Sequence, residues 1–278
     1  MKNRIPFILL AIIHTLLLVF TIYRKGKKTF PLLMISIGIT YVFEYVVLNV
    51  FKMYWYYPKV FRNNWIDSVF GAFMSQSLFV PIAGTLLTLF SKGWKWRIGV
   101  SFFYALVERV FIHLGVYKNR YWSTFYTVTA MPLYFYVLSK WWEGVQKGNK
   151  VYIYISVLFF YWVNYTNVLF FSLALFNKYR FRIGFIEGKY WEHFILVPIY
   201  TLISGFIGAM TTVHLRRKSK LVGMAVHHLI DRLLFGYKII HPSNSRSLYA
   251  LIPIHITMLL VGEYYYSLIR KVSKSTVN

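Results

Sequence analysis

The chain has 278 residues, of which 58% are apolar and 14% are charged, whereas an ordinary soluble domain has roughly 25% charged residues. This composition excludes a soluble globular protein and indicates an integral membrane protein. The net charge of +24 does not indicate nucleic-acid binding, because the basic residues are spread over short loops with no soluble recognition domain. The chain has no cysteine, which excludes disulfides, thiolate metal sites and cysteine nucleophiles.

The basic loops are better explained by attraction to anionic lipid headgroups and by control of membrane topology. The expected partner is therefore a lipid bilayer with anionic headgroups, and no nucleic-acid partner is expected. Aromatic residues make up 21% of the chain, and Trp and Tyr prefer the headgroup level. No P-loop, nucleophile elbow or zinc-protease motif is present, so no cofactor is predicted.

Apolar stretches of about 20 residues recur along the chain, each ended by Lys or Arg, and this is the length that a helix needs to cross hydrocarbon. They predict an all-α, polytopic transmembrane bundle that forms a single domain over residues 1–278. The first span follows Arg4 without a cleavage site, so it is expected to be retained as a helix. The eight predicted spans are 5–23, 30–51, 68–90, 98–116, 121–139, 151–176, 194–213 and 248–268.

Two features of these spans bear on packing and orientation. An apolar-Pro-Ile pattern recurs at Pro81, Pro198 and Pro253; it is compatible with an internal repeat, but ordinary helix kinks are the favoured interpretation. The pairs Ser204/Gly208 and Gly205/Ala209 place small residues four apart, which allows close helix approach within the monomer or, less favoured, in a dimer. Four basic residues after the first span against two before it place both termini outside.

The longest connection contains a predicted amphipathic helix over residues 221–240, expected to lie in the membrane surface. Its polar arc holds His227, His228, Asp231, Arg232 and Lys238, and its apolar arc holds Val222, Val226, Leu229, Ile230, Leu233 and Leu234. The polar arc is expected to be solvated. A weaker alternative is that His227, His228 and Asp231, spaced three and four apart, share a metal ion.

Three carboxylates lie inside the apolar spans, at Glu44, Glu108 and Glu263. A carboxylate in lipid is costly and marks a functional site by default. Glu108 precedes Arg109, and His113 follows one turn later on the face of Arg109. Adjacent residues point about 100° apart, so Glu108 and Arg109 are expected to reach different neighbours. The favoured interpretation is a Glu–Arg clamp between helices; the alternatives are a proton- or substrate-handling role for the pair and snorkelling through a tilted or shortened helix.

Counting the direction of each span places Glu44, Glu263, Gln76 and Asn167 in the membrane half that carries the termini, with Asn164 at the centre of its span. These residues predict a polar cavity that opens toward that side. The alternative is that the amides only hydrogen-bond neighbouring helices and that Glu263 reaches the interface.

The first half of the chain contains Phe43-Glu44-Tyr45, Asn49, Tyr54, Tyr56-Tyr57-Pro58, Asp67-Ser68, Gly71, Gln76 and Trp122-Ser123-Thr124-Phe125-Tyr126-Thr127. This pattern resembles a group of uncharacterised multi-pass membrane proteins of spore-forming Gram-positive bacteria. The resemblance implies a helical membrane fold in the bacterial plasma membrane. It implies no activity, cofactor or catalytic residue.

Three functions are compatible with these observations. The first is a transporter or permease for a small solute or protons, in which Glu44 and Glu108 are the essential carboxylates. The second is a non-catalytic membrane module, such as a sensor or an assembly subunit, whose buried charges only fix packing and which binds another membrane protein. The third is a membrane-embedded lipid-modifying enzyme that uses His227, His228 and Asp231; a non-enzyme is favoured over it.

Overall fold

The computed structural model describes residues 3–214, 220–242, 249 and 251–274. The protein is mostly helical, at 81%. The helices form two compact units, Met1–Lys147 and Gly148–Asn278, although the sequence predicts a single domain. Each unit buries its own apolar core, with Phe135 fully buried in the first and Val157 in the second.

The first unit begins with two apolar helices, α1 and α2, joined at Gly26, whose φ of +59° favours glycine. Both helices pack against α4. A two-stranded antiparallel sheet connects the later helices. The elements are α1 (Arg4–Lys25), α2 (Thr29–Glu44), β1 (Tyr54–Tyr56), α3 (Asn64–Met74), α4 (Val80–Leu89), α5 (Trp94–His113), β2 (Tyr117–Asn119) and α6 (Thr124–Gln146).

In its described residues, the second unit contains four α-helices and a second two-stranded antiparallel sheet. Its longest contact runs between its first two helices, where Gly205 packs against the backbone of Trp162 and Gly208 against the ring of Tyr161. The small residues of this segment therefore serve packing within the monomer, as predicted. The elements are α7 (Lys150–Phe176), β3 (Tyr179–Phe181), α8 (Lys189–His214), α9 (Lys220–Gly236), β4 (Ile240–Pro242) and α10 (Leu251–Lys274).

The two units repeat one motif. Helix, strand, helix, helix, strand and helix follow one another in α2–β1–α3/α4–α5–β2–α6 and again in α7–β3–α8–α9–β4–α10. The packing also repeats, because α4 contacts α2, α5 and α6 just as α8 contacts α7, α9 and α10. The strand pairing repeats as well: β1 pairs with β2 in the first unit, and β3 pairs with β4 in the second.

The repetition extends to single hydrogen bonds. In the first unit the amide of Tyr56 donates to Ser68 Oγ, and 125 positions later, at 181 and 193, the amide of Phe181 donates to His193 Nδ1. The amide of Lys59 donates to the Asp67 carboxylate, and that of Gly184 to Glu192. Around the second strand the shift is 123 positions, from Val116 to Ile239. The internal repeat thus differs from the Pro-Ile pattern seen in the sequence.

All eight predicted spans lie on helices, but their crossing of a membrane is supported unequally. Among the described residues, four helical stretches are long and apolar enough to cross: Arg4–Val50, Asn64–Leu89, Lys150–Phe176 and Tyr190–His214. The first of these covers the predicted span 5–23 and all but the last residue of the predicted span 30–51. Spans 98–116, 121–139 and 248–268 coincide with α5, α6 and α10, which fall short of that criterion; residues 248 and 250 lie outside the described residues.

Helix α9 corrects one prediction. The helix exists, but two residues of its polar arc face the protein: His227 is 1% and Asp231 0% exposed, while Leu221, Val222, Leu229 and Leu233 are exposed. His228 is half-exposed, and Arg232 and Lys238 are exposed. The prediction of a solvated polar arc was therefore wrong for His227 and Asp231. The physical reason is that both polar side chains find partners on α8 and α10, which compensates for the cost of removing them from water.

Candidate functional site

The first unit contains a partly open cavity of about 360 Å³. Its wall combines a mainly aromatic and aliphatic surface with a few hydroxyl, amide and carboxylate groups. Such a composition is typical of small-molecule sites, where a few polar groups orient a largely apolar ligand. The polar and hydrogen-bonding side chains of the wall include Tyr54, Tyr56, Gln76, Tyr104, Glu108, Tyr117, Trp122, Thr127 and Tyr134.

Glu44 lies beside this wall at the end of α2 and is 8% exposed. Its Oε2 atom accepts a hydrogen bond from the hydroxyl of Tyr54 at 2.5 Å and another from Gln76 Nε2 at 2.8 Å. Its Oε1 atom is buried and has no hydrogen-bond partner among the described residues. The sequence predicted Glu44 and Gln76 to share one membrane half, and the structure brings them into direct contact.

Two π-helical segments position this pair. One covers Tyr45–Val50, directly after Glu44, and the other covers Ser75–Phe79, which contains Gln76. The wider turn changes the helix register, and π-helical turns are frequent at functional sites. Thr40 Oγ1 donates to the backbone carbonyl of Gln76 at 2.9 Å and ties α2 to the second of these segments.

Glu108, on α5, contributes the second carboxylate and is half-buried. Thr124 Oγ1 donates to its Oε1 at 2.7 Å, and the Thr127 hydroxyl donates to its Oε2. The indole of Trp122 in turn donates to Thr127 Oγ1 at 3.0 Å. All of these donors are neutral, and since a carboxylate oxygen has two lone pairs, each oxygen keeps further acceptor capacity.

The charges of Glu44 and Glu108 both contribute to the raised pKa of Tyr56 and Tyr117, two tyrosines that lie outside the predicted spans. Burial, with added contributions from the charges of Glu44 and Glu108, raises the pKa of Tyr56 above its ordinary value. The pKa of Tyr117 is raised by burial, then by Tyr56, Glu108 and Glu44. These phenols remain protonated around neutral pH, and both line the cavity.

Arg109 and His113 do not join the site. Both are exposed on α5, on the side away from the buried residues Tyr104 and Phe111. Within the described part of the chain, no ion pair links Arg109 to Glu108 or Glu44. The Glu–Arg clamp predicted for α5 is therefore not formed by these residues, and Glu108 is held by threonines instead.

The remaining predicted residues belong to the second unit. Asn164 is half-buried, and its amide donates to the carbonyl of Phe160 on its own helix at 2.6 Å. Asn167 is also half-buried on α7. Glu263, on α10, forms an ion pair with Lys220 on α9, and both side chains are about a third exposed. Glu263 therefore has a cationic partner, which Glu44 and Glu108 lack among the described residues.

The second unit has a buried polar network of its own. The hydroxyl of Tyr200 donates to Asp231 Oδ1 at 2.6 Å, and His255 Nε2 lies 2.8 Å from Asp231 Oδ2. The hydroxyl of Tyr165 lies 3.0 Å from His255 Nδ1. His227 faces two backbone carbonyls, of Gly223 and Ser204.

His228 is not buried with His227 and Asp231. It is half-exposed and accepts a hydrogen bond from Arg232 at 3.3 Å. No group of three or more His, Asp or Glu side chains in the described ranges is arranged to hold a metal ion. The metal site at His227, His228 and Asp231 thus has no support from the geometry.

Sequence reasoning missed the neutral partners of the carboxylates. Tyr54, Thr124 and Thr127 are ordinary residues of the interface or of a helix start, and nothing in their local pattern indicates a contact with Glu44 or Glu108. His255 is a single histidine in an apolar span, which was a usable signal, because a buried imidazole needs hydrogen-bond partners.

Comparisons of this chain with protein-family models, with curated proteins and with solved structures find no significant match.

Proposed function

We propose that the chain is a multi-pass protein of the bacterial plasma membrane that carries a small solute or protons, and that Glu44 and Glu108 in the first unit are the groups that bind this cargo. The proposal takes up the transporter hypothesis drawn from the sequence. It also takes the resemblance to multi-pass proteins of spore-forming bacteria as a proposed family, because Tyr54, Gln76 and Trp122 of the shared pattern line the cavity.

The observation that carries the proposal is the cavity of about 360 Å³ with a carboxylate in its wall and a second carboxylate directly behind Tyr54 and Gln76. A structural clamp would show each carboxylate paired with a cation. In the described ranges, neither Glu44 nor Glu108 has one. Intramembrane carboxylates that face a cavity are characteristic of substrate and proton pathways.

The lipid-modifying enzyme receives less support. It required His227 and Asp231 to be accessible near the headgroups, and both are buried inside the second unit. The non-catalytic module is the remaining alternative, and transport experiments separate it from the proposal.

The test is flux through purified protein in liposomes. A pH-sensitive dye trapped inside reports proton movement driven by a potassium diffusion potential, alone and with an amine, an amino acid, a carboxylic acid or a sugar added. The wild-type protein should move protons, or produce a solute-dependent pH change, above empty liposomes. Glu44→Gln and Glu108→Gln should abolish this flux because they remove the charge and keep the shape.

The matched control is Glu143→Gln. Glu143 is an exposed carboxylate on α6 that pairs with Lys140, so its loss should leave flux unchanged. All variants are first shown to elute as monodisperse protein with unchanged helix content. Full activity in both cavity variants would refute the role of the carboxylates, and absence of any wild-type flux would favour the non-catalytic module.

A further inference from the structure

The internal repeat gives the two carboxylates Glu108 and Asp231 equivalent places. Glu108 lies nine residues before the first residue of β2 (117 − 108), and Asp231 lies nine residues before the first residue of β4 (240 − 231). The backbone hydrogen bonds that follow also match, from Val116 to Phe111 in one unit and from Ile239 to Leu234 in the other. The two units can therefore be compared directly, because each has a carboxylate that faces the last helix of its unit.

The two units differ in the partner that the last helix offers to the carboxylate. In the second unit an ionisable imidazole, His255 on α10, lies 2.8 Å from Asp231 and fills the space next to it. In the first unit the last helix, α6, offers Glu108 only the hydroxyls of Thr124 and Thr127. The space is left as the cavity, whose lining contains no Lys, Arg or His among the described residues. The ionisable partner that His255 offers to Asp231 has no equivalent beside Glu108 among the described residues.

The surface of the cavity specifies what kind of cation fits. Tyr54, Tyr56, Tyr117 and Trp122 bring their rings together, with centroids 4.9 to 5.7 Å apart for the pairs Tyr56–Tyr117, Tyr54–Tyr117 and Tyr54–Trp122. Aromatic faces next to carboxylates attract organic ammonium groups, because the ring quadrupole stabilises a weakly hydrated cation. A small, strongly hydrated metal ion would instead require several oxygen ligands.

Resting on the proposed function, we infer that the cargo of the first unit is an organic cation: an amine or quaternary ammonium group attached to an apolar body. The ammonium group sits between Glu108 and the tyrosines, with Glu44 behind them, and the apolar body lies against residues such as Phe79, Met131 and Val137. The ammonium group belongs either to a free amine or to the headgroup of a lipid.

The experiment compares a charged probe with its uncharged isostere on the purified full-length protein. Benzyltrimethylammonium and neopentylbenzene have the same shape, and only the first carries a charge. Isothermal titration should show saturable binding of the cation and at least about tenfold weaker binding of the isostere, since the carboxylate attraction is lost in a poorly hydrated site. Benzenesulfonate should not bind.

Variants locate the site. Glu108→Gln and Glu44→Gln should each weaken binding of the cation and leave binding of neopentylbenzene unchanged, whereas Glu143→Gln should change neither. The wild-type comparison of cation and isostere needs no variant and so remains decisive if a variant does not fold. Equal affinity for the two probes, or no binding of the cation to folded wild-type protein, overturns the inference.

Two further experiments distinguish a free amine from a lipid headgroup, and the cation site from the proposed transport function. In nanodiscs of phosphatidylglycerol alone, added phosphatidylethanolamine should compete with the probe if the natural cation is a lipid headgroup, and should not if it is a free amine; both results support a cation site. Cation binding without flux would leave the inference standing and refute transport. Flux of neutral or anionic solutes with no cation preference would support transport and overturn the inference of a cation site.

Discussion

At the residue scale, three carboxylates of this protein, the buried Asp231 and Glu44 and the half-buried Glu108, differ in the partners that hold them. Asp231 has a tyrosine and a histidine, whereas Glu108 has two threonines and Glu44 has a tyrosine and an amide. Uncharged donors can solvate a carboxylate but cannot neutralise it, and burying an unpaired charge is costly. Asp231 thus has an ionisable partner within the protein, whereas Glu108 and Glu44 have no cationic partner among the described residues.

The Asp231 network makes a stability prediction. Asp231→Ala should lower the free energy of unfolding by about 3–5 kcal/mol, because it leaves the buried His255 and Tyr200 without their acceptor. The double substitution Asp231→Ala/His255→Leu should recover part of this loss, since it removes the buried imidazole that Asp231→Ala leaves without its acceptor. The recovery is only partial because the hydroxyls of Tyr200 and Tyr165 lose these partners. Unfolding by sodium dodecyl sulfate, followed by circular dichroism, measures both.

The exposed Lys140–Glu143 pair provides the control, and Glu143→Ala should cause no measurable loss of stability. If Asp231→Ala behaves like Glu143→Ala, the network contributes nothing to stability and the contrast between the two units fails.

At the element scale, close packing in the second unit depends on glycines. A Cβ atom on Gly262 of α10 would overlap the hydroxyl end of Tyr161, which is fully buried and hydrogen-bonded to Thr212 at 2.7 Å. The tyrosine therefore cannot move aside without losing its partner. Gly99 of α5, in contrast, is exposed, and a Cβ atom added to it would meet no other side chain within 4 Å.

These two glycines form a matched pair for mutation. Gly262→Ala should destabilise the protein by about 1–3 kcal/mol through overpacking, whereas Gly99→Ala should be neutral or stabilise it by up to about 1 kcal/mol, as expected for alanine in a helix. The midpoint of thermal unfolding in detergent measures the difference. A Gly262→Ala protein as stable as the wild type would show that α7 and α10 pack with room for a further methyl group.

At the scale of the whole molecule, the course of the chain through the second unit bears on membrane topology. Gly148, before α7, lies next to Ser273 at the end of α10, while β3 and β4 pair at the other ends of the helices. Helix α9 follows α8 and leads directly to β4, so it runs back along α8 with its apolar arc outward. From this course we predict that α9 crosses the membrane, equivalent to α5, in place of the surface helix predicted from the sequence. Its 17 residues are not among the four stretches that are long and apolar enough to cross.

The absence of native cysteine makes this topology directly testable. Single cysteines at Lys178 and Lys238 should react with a membrane-impermeant maleimide from one side of the membrane, and cysteines at Lys150 and Lys274 from the other. A surface helix in an eight-span bundle would instead place positions 178 and 238 on opposite sides. Cysteine at the buried Val157 is the negative control and should not react.

The sequence by itself determined the class of structure, because the length and spacing of apolar stretches decide where helices form in a membrane protein. It also located the costly residues Glu44, Gln76 and Glu108 within those helices. Only the tertiary structure decided their partners and the internal repeat, because neutral donors such as Thr127 carry no signal in a single sequence and equivalent positions share little sequence identity. The direction of the polar arc of α9 was likewise decided by packing: a polar stripe looks the same in sequence whether it faces water or a buried partner.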